Sequence, residues 1–127
     1  MPANKDIPRI PPSEVTRVTK TFHGKDYKVQ WRGLPIVVKK LLSPAETMSI
    51  CSDINSFCTY GDDNDIAYSL LDLSFRINTI KYFTNIDLPT GIDEINFILY
   101  ETDLFDTVTS HVNKDQIKAI MKAVGLE

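Results

Sequence analysis

The sequence predicts an α+β fold: a short N-terminal three-stranded antiparallel meander packed on a four- to five-helix body. Three observations carry that expectation. Tyr27, Val29 and Trp31 alternate with Lys28, Gln30 and Arg32, the period of a half-buried strand, and a second apolar cluster follows at Ile36-Val37-Val38. At Ser43-Pro44-Ala45-Glu46 the pattern changes to a capping box with proline at the first helical position. Beyond it, Ile66, Leu70, Leu73, Ile77 and Ile80 recur at spacings of four and three, the stripe of a core helix.

Residues 1–12 form an extended proline-rich arm on this reading. Ile7-Pro8-Arg9-Ile10-Pro11-Pro12 removes backbone donors and biases each residue before a proline to extended geometry. Residues 13–42 are the meander. Val15 and the stretch from Val18 to Phe22 make an imperfect first strand, and His23-Gly24-Lys25-Asp26 supplies turn chemistry. The strand through Trp31 is reversed by Arg32-Gly33-Leu34-Pro35, and the third strand ends at Lys39-Lys40. The outer face is lysine-rich, and Trp31, in phase with Tyr27 and Val29, points to the core.

Residues 43–127 are the helical body. Met48, Cys51, Ile54, Phe57 and Cys58 mark the first helix. Thr59 to Asp65 breaks it with glycine and acidic residues, and Asp65 caps a second helix that runs to about Phe83, its stripe widened by Ala67, Leu71 and Phe75. A loop around Leu88-Pro89 leads to a third helix over 92–101, with Ile95 and Leu99 inward; its weaker periodicity also admits a strand over 96–100. Asp103 caps a short helix carrying Leu104, Phe105, Val108 and Val112. Asn113-Lys114-Asp115-Gln116 repeats the capping-box pattern before a last helix with Ile117, Ile120, Met121 and Val124, stopped at Gly125.

Length and composition narrow the function. A chain of 127 residues has room for one hydrophobic core, so residues 13–127 read as a single domain. No apolar run reaches the roughly 20 residues of a membrane span, and no signal-like apolar segment opens the chain, so a cytoplasmic location is expected. Net charge is −3 but unevenly spread. Residues 1–43 hold nine Lys/Arg against three Asp/Glu, a net of +6, and the remainder carries −9. Such asymmetry steers association.

Catalytic and metal-binding patterns are missing from the sequence. His23 and His111 lack a second ligand at metal spacing and read as surface or capping histidines. Cys51 and Cys58, seven residues apart on one helix, stand about 10.5 Å apart along its axis, beyond disulfide reach. No glycine pair forms a phosphate loop, and no serine sits in a nucleophile elbow. The acidic loop Asp62-Asp63-Asn64-Asp65 lacks the glycine and the glutamate of a calcium loop, whose places fall on Ala67 and Leu73. No cofactor and no enzymatic activity are expected. The lysines near Trp31 raise nucleic-acid binding, but the negative total charge and the inward tryptophan argue against it.

Trp31-Arg32-Gly33-Leu34-Pro35-Ile36-Val37-Val38-Lys39, then Leu42-Ser43-Pro44-Ala45-Glu46, Leu88-Pro89 and Tyr100-Glu101-Thr102-Asp103, follow one another in an order that resembles small structural and assembly proteins of tailed phages of Gram-positive hosts. A short hairpin followed by a helical body is also similar to phage tail assembly chaperones. The resemblance implies a non-enzymatic protein acting by contact with copies of itself or with another tail or neck component, in the host cytoplasm and the virion. The alternative reading is a phage-encoded inhibitor of a host defence nuclease that uses an acidic, nucleic-acid-mimicking face: residues 44–113 hold twelve Asp/Glu against Arg76 and Lys81. The expected contact residues are Lys28, Arg32, Lys39 and Lys40 on the strands, facing Asp62, Asp63 and Asp65.

Overall fold

The computed structural model describes residues 7–21, 26–56 and 64–127, with the backbone alone for 18–21 and 64–68. The order is α1 (Pro12–Thr21), β1 (Tyr27–Trp31), β2 (Leu34–Val38), α2 (Pro44–Ser56), α3 (Asn64–Phe83), α4 (Ile92–Glu101), α5 (Leu104–Thr109) and α6 (Lys114–Val124). The protein is thus α+β, with a two-stranded antiparallel sheet and six helices among the described residues.

The expected three-stranded meander is corrected to a hairpin, because residues 12–21 are helical. Pro12 occupies the first helical position, where its missing N–H costs nothing, and the Pro11 carbonyl accepts from the Glu14 amide at 3.1 Å. Glu14 lies in the positive first turn and pairs with Arg17 at 2.6 Å. Val15 and Val18 are three apart, which puts them on one face of a helix but on opposite faces of a strand. Side chains from Pro12 to Arg17 are all exposed. On its other edge, away from β1, β2 meets the end of α3. Val38 bridges Thr84, the Lys39 amide donates to the Phe83 carbonyl at 2.7 Å, and the Val37 amide donates to Asn85 Oδ1 at 2.9 Å.

The β1–β2 register pairs Tyr27 with Val38, Val29 with Ile36 and Trp31 with Leu34, so these six side chains share one face. Ile36 and Val38 on that face are buried in the same cluster as Ile50, Ile54, Phe75, Ile80, Phe83, Leu99, Leu104, Val108 and Ile120. The hairpin therefore closes one side of the helical core rather than standing apart from it.

The capping box at 43–46 forms as expected. The Glu46 amide donates to Ser43 Oγ and the Ser43 amide to Glu46 Oε1, both at 3.1 Å. A cap of this kind is worth about 1 kcal/mol. In α2 Ile54 is buried and Cys51 half-buried as expected, whereas Met48 is exposed and Ile50, outside the expected stripe, is buried. Phe57 and Cys58 lie outside the described residues.

Helix α3 buries polar groups as well as its apolar stripe. Ser74 donates to the Ile54 carbonyl at 3.0 Å, Asn78 to the Ser74 carbonyl at 2.9 Å, and Thr79 to the Phe75 carbonyl at 2.7 Å. Arg76 ties α3 to the next helix. It donates to the Leu99 carbonyl at 3.0 Å, pairs with Asp72 at 3.1 Å, and lies over the rings of Tyr100 and Phe105. Segment 92–101 is α-helical throughout, which settles the strand alternative there, and Leu99 is its buried residue.

Helix α6 opens with half of the expected capping box. Asn113 Oδ1 accepts from the Gln116 amide at 2.9 Å. The Gln116 side chain, however, does not reach back to the helix start. Its Oε1 accepts from the Leu42 amide at 2.7 Å, and its Nε2 donates to the Leu42 carbonyl at 3.0 Å. The Asn113 amide donates to the Lys40 carbonyl at 2.8 Å, so residues 40–42 are held by α6 much as by a neighbouring strand. Gly125 ends the helix at φ 93°, and the Leu126 amide returns to the Met121 carbonyl.

Candidate functional site

The tip of the hairpin overhangs an open, mostly apolar groove of about 290 Å³. Trp31, Leu34, Pro35 and Ile36 form one wall, residues 85–89 the other, and Ile98 with Leu104 the floor. Its position follows from the turn. Arg32 and Gly33 both have positive φ, 50° and 79°, the signature of a two-residue turn whose twist matches the strands. That turn sets Trp31 directly across from Leu34 on the core-side face, two residues beyond the Val29–Ile36 pair where the core ends. Leu34 is consequently 57% exposed and Trp31 half-buried.

Trp31 is therefore not the core residue that its alternation with Val29 predicts. Its ring packs against the core edge, while Nε1 donates to Asp103 Oδ1 at 2.8 Å. Asp103 stands at the N-cap of α5, but with its carboxylate given to Trp31 it makes no side-chain cap, and Thr102 Oγ1 accepts from the Leu104 amide at 3.3 Å instead. Arg32 completes the tip, with its guanidinium 5.3 Å above the Trp31 ring and 4.0 Å from Asp103. On the opposite lip Asp87 is exposed and makes no ion pair among the described residues.

The expected contact residues are described only in part. Lys28 is exposed on the outer face of β1, across from Val37, and Lys40 is exposed beyond β2. Lys39 is already engaged, its ammonium 2.8 Å from Glu46 Oε2. Hydrogen bonds from Lys39 and from the Ser43 amide hold the Glu46 carboxyl below its ordinary pKa. None of the four cations lines the groove, and Arg32 borders it through its place over the Trp31 ring. Asp62 and Asp63 lie outside the described residues, as does His23, and of Asp65 only the backbone within α3 is described. Among the described residues, Glu46 is the acidic partner that the strand lysines find.

Among the described residues, His111, Tyr82 and Tyr100 find local partners. His111 Nδ1 lies 2.9 Å from the Thr107 carbonyl, with its ring 5.4 Å from that of Tyr27. Burial pushes the Cys51 thiol pKa up, away from a reactive thiolate. Tyr82 donates to Asp53 and Tyr100 to Asp72. Both phenols are pushed up to about 12, Tyr82 chiefly by its carboxylate partner and Tyr100 chiefly by desolvation. Among the described residues, no three His, Cys, Asp or Glu are grouped to hold a metal ion, and no helix is long and apolar enough to cross a membrane.

Sequence reasoning missed the groove. Leu88-Pro89 and Asp103 were visible as a loop and a cap, but nothing local says that they meet Trp31 across more than fifty residues. The exposed Leu34 beside an Arg-Gly turn was the one available signal. No protein-family model matches the chain, no curated protein is similar to it in sequence, and no solved structure matches its fold.

Proposed function

We propose that the chain is a non-enzymatic structural or assembly protein of a tailed phage, acting through protein–protein contacts as a tail or neck component or as a tail assembly chaperone. The observation that carries the contact role is the hairpin-tip groove: apolar on its walls, open to solvent, and flanked by Arg32, Asp103 and Asp87. Its volume lies at the lower end of the roughly 300–1,000 Å³ typical of small-molecule pockets, which suits two or three side chains of a protein segment. Ile92, Phe97 and Met48 add further exposed apolar area. The phage assignment rests on the ordered motifs from Trp31 to Asp103 quoted above.

Molar mass by light scattering, at low and high salt, tests the contact role. A salt-sensitive oligomer supports a self-assembling virion component whose unlike charges meet. A monomer that copurifies with a tail protein but is missing from finished particles supports the chaperone form. A monomer at every salt, found neither in particles nor with any particle protein, refutes the proposal.

The nuclease-inhibitor reading has one observation in its favour. Asp93, Glu94, Glu101 and Asp106 are all exposed along α4 and α5, so the acidic charge of this half reaches the surface. Charge reversal at Asp93 and Glu101, or at Asp62, Asp63 and Asp65, would then abolish inhibition of a nuclease without unfolding the protein. Unchanged inhibition would sink that reading.

A further inference from the structure

We propose that the hairpin-tip groove of one copy receives residues 7–12 of a second copy, an inference that rests on the self-associating form of the function above. Ile7 and Ile10 are 63% and 73% exposed, so this apolar arm is left uncovered within its own chain. The groove beside Trp31 and Leu34 is open in the same chain. Each is therefore an apolar surface that no other described residue covers, and the two match in chemistry.

Proline at positions 8 and 11, ahead of the helix that starts at Pro12, restricts the arm to extended, polyproline-like geometry before it binds, which lowers the entropy lost on docking. Proline-rich segments of this kind dock against aromatic-lined grooves, and here Trp31 and the Leu88-Pro89 wall supply the surface. Charge agrees as well. Arg9 is the arm's one cation among residues 7–12, exposed and without an ion pair among the described residues. Asp87, on the lip, is an exposed carboxylate without one. Ile10 seated in the groove would carry Arg9 along its rim toward Asp87. Mutual exchange of arms by two copies closes at a dimer, whereas one-way donation builds a ring or a chain.

The full chain tests this with three preparations: wild type, Ile10→Glu and Leu34→Glu. Both substituted side chains are exposed, so each variant is expected to keep its fold, and circular dichroism checks this. Light scattering over a dilution series should show association in the wild type and a shift of at least tenfold toward monomer in each variant. Mixing the two variants should restore association, because the Leu34→Glu copy supplies an intact arm and the Ile10→Glu copy an intact groove. The protein has a single tryptophan, so Trp31 emission reports groove occupancy directly and should shift to the red on dilution.

Wild-type association that neither variant weakens, or variants that mixing does not restore, would overturn the arm exchange while leaving self-association standing. A wild-type monomer whose Trp31 emission still responds to Ile10→Glu would place the arm in its own groove and overturn the second-copy occupant. A monomer with unresponsive emission would overturn the inference outright, and the proposed function would then turn on the particle copurification alone.

Discussion

Replacing Gln116 with alanine should destabilise the fold more than any other single polar substitution on α6. The side chain makes three hydrogen bonds: with the Leu42 amide, the Leu42 carbonyl and Thr47 Oγ1, at 2.7, 3.0 and 3.3 Å. Leu42 itself is buried, so its backbone groups depend on this one side chain. A net hydrogen bond contributes about 1 kcal/mol, and a buried N–H left without a partner costs roughly 1–3 kcal/mol. Water admitted beside the half-buried Gln116 offsets part of this, so the loss should be about 2–4 kcal/mol. Against the roughly 5–15 kcal/mol that stabilises a small domain, that is a large fraction. With a urea m-value of about 2 kcal/mol/M, the unfolding midpoint falls by about 1–2 M. Gln116→Glu separates geometry from volume. At neutral pH its carboxylate still accepts from the Leu42 amide but faces the Leu42 carbonyl with no proton to give. This variant should be nearly as unstable as alanine at pH 7 and recover toward acid, where the protonated carboxyl can donate. A loss below about 0.5 kcal/mol for alanine, or a glutamate variant as stable as wild type at pH 7, would refute the argument.

Arg32→Gly should stabilise the hairpin by roughly 1 kcal/mol, because glycine adopts φ 50° without the Cβ clash, less whatever the exposed Asp103 contact contributes; thermal unfolding checks the sign. The lowered Glu46 pKa makes a pH prediction. Its contribution is present above the unfolded carboxylate value and lost as pH falls through the folded one, so Glu46→Gln should flatten the acid limb of a stability–pH curve. Tyr82 and Tyr100 work in the opposite direction. Their raised values add stability below the ordinary phenol range that is lost as pH climbs toward about 12, and ultraviolet titration should show both ionising late; Asp53→Asn should bring Tyr82 down.

What could be read from the sequence divides along physical lines. Capping at Ser43, the Arg-Gly turn and the bounds of α4 rest on interactions within four residues, and they were legible. The α1 segment was not, although Val15 and Val18 stand at helical rather than strand spacing, because the choice turned on Pro12 and Glu14 acting together as a helix start. On α2 the expected stripe includes Met48 and omits Ile50, since both are apolar and only packing distinguishes them. The groove and the Gln116 clamp depend on partners 72 and 74 residues distant, where local pattern carries no information. Asp103 shows the difficulty most clearly: a residue type suited to capping a helix spends its carboxylate on a tryptophan from another element.

The hydroxyl of Ser74 on the Ile54 carbonyl bears on uniqueness rather than strength. Ile54 lies in the last turn of α2, where carbonyls have no helical partner, and Ser74 reaches it from the middle of α3. An all-apolar seam between the two helices would tolerate sliding by one turn, trading one set of greasy contacts for another. Sliding here would strand both a hydroxyl and a carbonyl in the interior. The pair therefore works as an alignment pin, rejecting neighbouring registers and fixing α3 lengthwise; through the Phe83–Lys39 hydrogen bond at its far end, α3 in turn sets where the hairpin rests.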